Sequence, residues 1–177
     1  MARFGKRVRP KILGSGTLIF VTIGSMLPFD RMIRMMDNWA SQHNGEDILA
    51  QIGGGDYEPQ HMRWQRIIAP DEYKKVVEAS RLMVAHAGTG SVFTASEYHK
   101  PIVLVPRRAA QKEHTTDHQL DTAKWLEGKP GIFIAWTDAD LPVQIERASK
   151  SANMDQSQIP VSAPQPFLDR IRDFLTT

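Results

Sequence analysis

The chain has 177 residues, of which 41% are apolar, and it contains no cysteine. This length predicts one domain with a single hydrophobic core, and the lack of cysteine excludes disulfides, thiolate metal sites and cysteine nucleophiles. The 22 basic and 20 acidic residues nearly balance, which argues against a nucleic-acid-binding protein. We expect no signal peptide, and the longest apolar stretch, residues 17–29, is shorter than the roughly 20 residues that cross a bilayer.

Residues 1–16 are basic, contain Pro and Gly, and show no periodicity, so we predict a disordered lead-in. Five of the first eleven residues are Lys or Arg. Two interpretations stay open: a solvated tail, or a weak electrostatic hold on an anionic membrane surface. We therefore expect a soluble protein that is at most peripheral to a membrane.

Residues 17–150 are predicted to form one Rossmann-like α/β domain, because apolar runs of strand length alternate with helical patterns. The predicted strands are 18–23, 48–52, 63–68, 82–85, 102–105 and 132–135. The predicted helices are 28–42, 70–80, one that ends near residue 99, 115–127 and 140–150. Such alternation predicts a parallel sheet that is covered on both faces. Residues 151–177 are predicted to be a polar linker followed by a C-terminal helix at 167–175.

A glycine-rich turn stands between a strand and a helix in the sequence HAGTGS, which begins at His86. Gly88 and Gly90 permit a tight turn, and Thr89 or Ser91 is predicted to cap the helix. The helix N-terminus would present N–H groups to an anion such as a diphosphate, and His86 can donate to a phosphate oxygen. The alternatives are an ordinary turn and a core histidine.

A second glycine run at residues 53–55 is predicted to be a flexible turn. It lacks the Lys-Ser/Thr pair of a nucleotide triphosphatase loop, and no helical pattern follows it. We therefore expect the anion site at the turn after His86 and not here.

The sequence EHTTDH, which begins at Glu113, supports two interpretations. On a helix, His114 and His118 would share a face, as in the inverted zinc-protease pattern with Asp in place of Glu. That interpretation predicts a metallohydrolase, although no third ligand is evident. The other interpretation is a polar helix start, with Glu113 and His114 exposed.

Three segments taken in order resemble the donor-binding half of the family 28 glycosyltransferases: HAGTGS at 86–91, KPIVLVP at 100–106 and DHQ at 117–119. The resemblance covers residues 18–134, and it includes the small catalytic subunits of two-part transferases. It implies one half of a GT-B enzyme that binds a UDP-sugar as substrate, with no cofactor and no metal.

The resemblance also implies roles for single residues. It places Gly24 and Ser25 at the ligand edge of the sheet and the uracil ring against the main chain at Ile68. Asp117, His118 and Gln119 would contact the donor sugar, although Thr122 replaces an Asn of the family pattern. Thr94 stands where many relatives have a ribose-binding Glu. Glu97, one helical turn later, either takes over that role or lies on a solvated face.

Two further groups are candidates for chemistry. Arg107 and Arg108 follow a strand end, where either can neutralise a diphosphate or pair with a sugar carboxylate, or lie solvated at the surface. Glu113 and His114 are the candidate catalytic residues of this chain. We expect the general base to come from a partner, because the acceptor-binding half is not in this sequence.

The resemblance implies the donor-binding subunit of an inverting transferase that moves a sugar from a UDP-sugar to a lipid-linked polysaccharide precursor. We expect a membrane-anchored acceptor-binding partner, which would hold the chain at the cytoplasmic membrane face. The alternative from another class is a non-catalytic nucleotide-binding protein that enhances a partner transferase.

Overall fold

The structure is a computed structural model, and it describes residues 17–152. The strands are β1 Leu18–Thr22, β2 Asp47–Gln51, β3 Arg63–Gln65, β4 Ser80–His86, β5 Ile102–Val105 and β6 Ile132–Ile134. The helices are α1 Asp30–Ser41, α2 Pro70–Ala79, α3 Thr89–Glu97, α4 His118–Leu126 and α5 Asp140–Ala152, with a short 3₁₀ turn at Ala109–Gln111. The predicted lead-in 1–16 and the predicted helix 167–175 lie outside the described residues.

The six strands form one parallel sheet in the order β3-β2-β1-β4-β5-β6. Every residue of β1 is buried, since side chains alternate between the two faces and both faces are covered. One face packs on α1 and α5, and the other packs on α2, α3 and α4. The predicted fold class, a Rossmann-like α/β domain, is confirmed. No helix in the described part of the chain is long and apolar enough to span a membrane.

Two predicted elements lose three residues at one end in the structure, each because a side chain intercepts the backbone. Strand β3 ends at Gln65, three residues early, and the N–H of Ile68 donates to Oε1 of Gln51 at 3.0 Å. Helix α4 begins at His118 and not at residue 115, because Oδ1 of Asp117 accepts the N–H of Ala109 at 2.8 Å and closes a loop before it.

The glycine run at residues 53–55 forms a turn, as predicted, and the turn makes specific hydrogen bonds. The N–H of Gly53 donates to the carbonyl of Arg66 at 2.8 Å, and Oδ2 of Asp30 accepts the N–H of Asp56 at 3.1 Å. A Cβ on Gly55 would overlap the carboxylate of Asp30. The glycine at position 55 thus allows this turn to pack closely against the start of α1.

Asp37 holds the following part of the same loop against α1. Its buried carboxylate accepts the hydroxyl of Tyr57 at 2.6 Å, the N–H of Gln60 at 3.0 Å and the N–H of His61 at 2.7 Å. Burial acts to raise the pKa of Asp37, but these hydrogen bonds outweigh it and leave the pKa below its ordinary value of 3.8. The ionised carboxylate therefore stabilises the fold.

Replacing Asp37 by Asn should lower the free energy of unfolding by about 1.5–3 kcal/mol at neutral pH, the range for hydrogen bonds to a charged group. Because the folded-state pKa is depressed, the contribution is present above the unfolded value and is lost as pH falls through the folded value. Urea unfolding at neutral and at acid pH measures both effects. Asp121→Asn on exposed α4 is the matched control and should change stability by less than about 0.5 kcal/mol. A deficit for Asp37→Asn that does not shrink in acid would contradict this account.

Candidate functional site

The candidate site lies at the carboxyl ends of β1 and β4, which are neighbours in the sheet. Helix α1 follows β1 onto one face, whereas α3 follows β4 onto the other. Open α/β sheets bind ligands in the crevice that such a reversal creates. The turns at Gly24 and Gly88 border this crevice from its two sides.

The N-terminus of α3 is exposed in this crevice. Gly88 is its N-cap residue, and no side chain caps the helix. Thr89 and Gly90 are exposed in the first turn, where their N–H groups have no acceptor within the helix and lie at the positive end of the helix dipole. A Cβ built on Gly90 meets nothing within 4 Å, so a ligand can approach this backbone closely. The arrangement suits a phosphate or diphosphate.

The predicted side-chain cap of α3 is wrong. Ser91 is buried, and its Oγ lies 3.3 Å from Nδ1 of His86. Its N–H donates to the carbonyl of Gly88 at 3.1 Å. The side chain thus holds the histidine and leaves the first turn of the helix uncapped.

His86 stands at the end of β4 with its ring between the two glycine turns. A Cβ on Gly24 would lie 2.7 Å from Cε1 of the ring, and a Cβ on Gly88 would overlap Nε2. Burial, with a smaller contribution from the nearby charge of Arg107, lowers the pKa of His86 to about 4. The imidazole is therefore neutral at physiological pH.

The loop after β1 carries Gly24 and Ser25, as predicted. Gly24 adopts a φ of +79°, a conformation that favours glycine. Its N–H donates to Oγ1 of Thr22 at 3.1 Å, and Ser25 is exposed beside it. The loop therefore holds a fixed backbone shape at the mouth of the crevice.

Arg107 lies beneath this loop and is 2% exposed, so it is not the solvated residue that we considered. Its Nη2 donates to the carbonyls of Ile23 at 2.9 Å and Leu27 at 2.7 Å, and its guanidinium lies 5.0 Å from the ring centre of Phe29. Burial lowers the pKa of Arg107, and Glu113 acts in the opposite direction. Direct contact with a diphosphate would require this loop to move, so that role stays a prediction.

Glu113 is held in an ion pair and does not face the crevice as a lone carboxylate. Its Oε1 accepts Nε of Arg31 at 2.7 Å, and its Oε2 accepts Nη2 of Arg31 at 3.0 Å and the N–H of Arg108 at 2.9 Å. Both oxygens are engaged, so the geometry favours a structural role, in which Glu113 fastens the loop after β5 to α1. Its catalytic role remains untested.

His114 precedes α4 and His118 is its first residue, so the two do not share a helix, which the metallohydrolase interpretation required. Their rings nevertheless meet edge to face with centres 4.4 Å apart. Burial, His118 and Arg107 lower the pKa of His114. Within residues 17–152 no group of three or more His, Cys, Asp or Glu side chains is arranged to hold a metal ion. The metallohydrolase interpretation therefore gains no third ligand.

Of the three residues that were predicted to contact the sugar at the start of α4, only two are exposed. Asp117 and His118 are exposed, with Nδ1 of His118 lying 2.7 Å from Oγ1 of Thr116. Gln119 is buried, and its Oε1 accepts the N–H of Arg107 at 3.2 Å. Gln119 thus joins the sugar-side helix to the buried arginine.

The predicted ribose side lies along α3. The hydroxyl of Thr94 contacts that of Tyr73, whose pKa is raised by burial. Glu97 is exposed near the C-terminal end of the helix, one turn further from the crevice. Whether Glu97 reaches a ribose stays a prediction.

Gln51 is a site residue that the sequence analysis missed. It is buried at the end of β2, where its Nε2 donates to the carbonyl of Gly24 at 3.1 Å and its Oε1 accepts the N–H of Ile68 at 3.0 Å. It therefore ties the loop after β1 to the predicted uracil corner. The sequence feature that could have indicated Gln51 is a polar residue at the carboxyl end of an otherwise apolar strand.

If Glu113 is structural, Glu113→Gln should lower the free energy of unfolding by about 1–3 kcal/mol, because it leaves the partly buried guanidinium of Arg31 with only a longer carboxylate contact, to exposed Asp138 at 3.7 Å. Glu58→Gln breaks a more exposed pair with Arg66 and is the matched control, with an expected loss of about 0–1 kcal/mol. Chemical denaturation of both variants measures the difference. Equal losses would count against the structural role.

Sequence comparison finds relatives that are named as transferase subunits. The chain is 28% identical over 135 residues to "UDP-N-acetylglucosamine transferase subunit ALG13" of Yarrowia lipolytica (strain CLIB 122 / E 150), over 67% of this chain and 64% of that protein. It is 27% identical over 125 residues to the Homo sapiens protein of the same name, over 65% of this chain and 11% of that protein. The chain thus spans less than two thirds of the length of either relative.

Solved glycosyltransferases share the fold over about half of their length. The calicheamicin glycosyltransferase CalG4 matches with a TM-score of 0.56 and 16% identity, over 91% of this chain and 44% of that chain. SnogD from Streptomyces nogalater matches with a TM-score of 0.58 and 17% identity, over 98% of this chain and 48% of that chain. The model of the glycosyltransferase family 28 C-terminal domain matches residues 18–165, and the chain belongs to this family.

Proposed function

We propose that this chain is the donor-binding and catalytic subunit of a two-part inverting glycosyltransferase, which moves a sugar from a UDP-sugar to a lipid-linked polysaccharide precursor. The observation that carries the proposal is the uncapped N-terminus of α3, open to solvent at Gly90, at the point where the sheet reverses. Family membership supports the reaction class, and the names of the relatives support a UDP-sugar donor.

In this proposal the diphosphate lies on the first turn of α3, at Thr89 and Gly90, between the loop at Gly24 and the start of the helix. The uracil ring lies against the main chain at Ile68, whose N–H is already engaged by Gln51. Ring recognition there would then use the carbonyls of the corner. The sugar lies toward Asp117 and His118.

The acceptor hydroxyl oxygen attacks the anomeric carbon as the bond from that carbon to the diphosphate oxygen breaks, and UDP leaves. Negative charge grows on the diphosphate during this step. Preorganised N–H groups at the helix start stabilise that charge, and the buried cation of Arg107 adds positive potential from below. We therefore expect the chain to need no metal or other cofactor for binding the donor.

A base must remove the proton of the acceptor hydroxyl. Glu113 is engaged on both oxygens by Arg31 and Arg108, which favours a base supplied by a partner. The relatives are named as subunits, which supports a second chain. A membrane-anchored, acceptor-binding partner would bring this chain to the cytoplasmic membrane face and to its lipid-linked acceptor, as in exopolysaccharide biosynthesis.

Calorimetry should detect binding of UDP-N-acetylglucosamine or UDP with equal affinity in magnesium and in chelator. Gly90→Ala should weaken that binding by about tenfold, or about 1.4 kcal/mol, because a methyl group would stand where the diphosphate approaches the backbone. Gly45→Ala also places its Cβ in open space, but at the opposite edge of the sheet, and should bind as the wild type does. Binding that disappears in chelator would favour the metal interpretation at His114 and His118.

Coexpression with an acceptor-binding partner should give sugar transfer to a lipid acceptor and recover the chain with membranes, whereas the chain alone should give neither. Radiolabelled donor and membrane fractionation measure the two effects. The Gly90→Ala subunit should reduce turnover in the reconstituted pair. Efficient transfer by the single chain would contradict the two-part proposal, and unchanged turnover with Gly90→Ala would favour the non-catalytic accessory function.

A further inference from the structure

The imidazole of His86 occupies the volume that side chains at both glycine turns would otherwise fill. We infer that His86 is a positioning residue, whose ring sets the separation between the turn at Gly24 and the turn at Gly88. The inference deepens the proposed function and rests on it for its consequence in donor binding. A role as a cationic phosphate ligand is a different role, and the experiments below separate the two.

The glycine at position 88 needs an explanation other than backbone strain. Its φ of −92° and ψ of 142° are extended values that any residue adopts. Its Cβ would nevertheless overlap Nε2 of the ring, and the three atoms nearest to such a Cβ all belong to His86. Gly24 differs, because its φ of +79° favours glycine in any case and its Cβ would also lie 2.7 Å from Cε1.

The ring cannot turn aside to relieve a clash without losing its own contacts. Its ring hydrogen-bonds to the backbone of Thr22, and Nδ1 lies 3.3 Å from Oγ of buried Ser91. A rotation away from Gly88 moves it toward Gly24. The imidazole is therefore held on both flanks and from within the sheet.

The consequence concerns the slot that receives the diphosphate. Gly24 leads the loop after β1, and Gly88 leads the exposed start of α3, so the distance between them sets the width of the slot. The ring is neutral at physiological pH, since burial and the charge of Arg107 disfavour its protonation. A neutral spacer fixes the slot without a charge change that pH would switch.

A double-mutant cycle tests the spacing role without ligand. Gly88→Ala in the wild-type background should lower the melting temperature by several degrees, because Cβ and the ring compete for one volume. In the His86→Ala background the same change should cost little, since the ring is gone and the backbone conformation is ordinary. An equal cost in both backgrounds, or no cost in the wild type, would overturn the inference.

Donor binding supplies the second measurement. Both His86→Ala and Gly88→Ala should weaken binding of UDP-N-acetylglucosamine by about tenfold or more. The pH profiles of binding for wild type and His86→Ala should run parallel between about pH 5 and 8, the range in which histidines usually titrate. This donor suits the test because both of its phosphates are esterified, so the charge of the diphosphate does not change over this pH range.

The outcomes test the spacing role of His86 and the proposed function separately. Wild-type affinity that rises as pH falls, and does so only while His86 is present, would show a cationic phosphate ligand and overturn the spacing role. The double-mutant cycle can show the expected coupling while the wild-type protein binds no UDP-sugar. That result would support the spacing role and overturn the proposed function.

Discussion

The side-by-side placement of β1 and β4 is the constraint on which the rest of the site depends. Parallel strands bring their carboxyl ends to one edge, and the helices after these two strands leave to opposite faces. Backbone N–H groups at the start of α3 are thereby left facing a crevice and not a packed helix. The site therefore follows from strand order, and its side chains serve mainly to fix the turns that border the crevice.

Buried Arg107 and partly buried Arg31 hold loops near the crevice, because loop carbonyls that are removed from water need donors. Arg107 supplies them to the loop after β1, and Arg31 donates to the carbonyl of Pro106 as well as to Glu113. Each arginine thus joins the β1–α1 region to the segment after β5. A guanidinium with several donors in fixed geometry suits this purpose better than a lysine would.

Local sequence pattern was sufficient to predict all six strands, the glycine turn and the fold, because strands and turns depend on apolar residues and glycines that are close together in the sequence. It was insufficient for Arg107, whose partners Ile23 and Leu27 lie 84 and 80 residues away in the sequence. The same limit explains Gln51 and Glu113, since a polar side chain near a strand end looks alike whether it faces a ligand or another loop. The start of α4 was missed because a short-range bond from Asp117 competes with the helix.

At the candidate site the main chain and the side chains have different roles, and this difference bears on which positions tolerate substitution. The proposed anion site uses backbone N–H groups, whose binding depends little on side-chain identity, so the departures at Thr94 and Thr122 do not bear on that proposal. Gly24, Gly88 and His86 are different, because one volume is shared among them and a change in any one displaces another. Packing at this site therefore constrains three residues together. Two of them must be glycine, because a Cβ at either position would overlap the ring of His86.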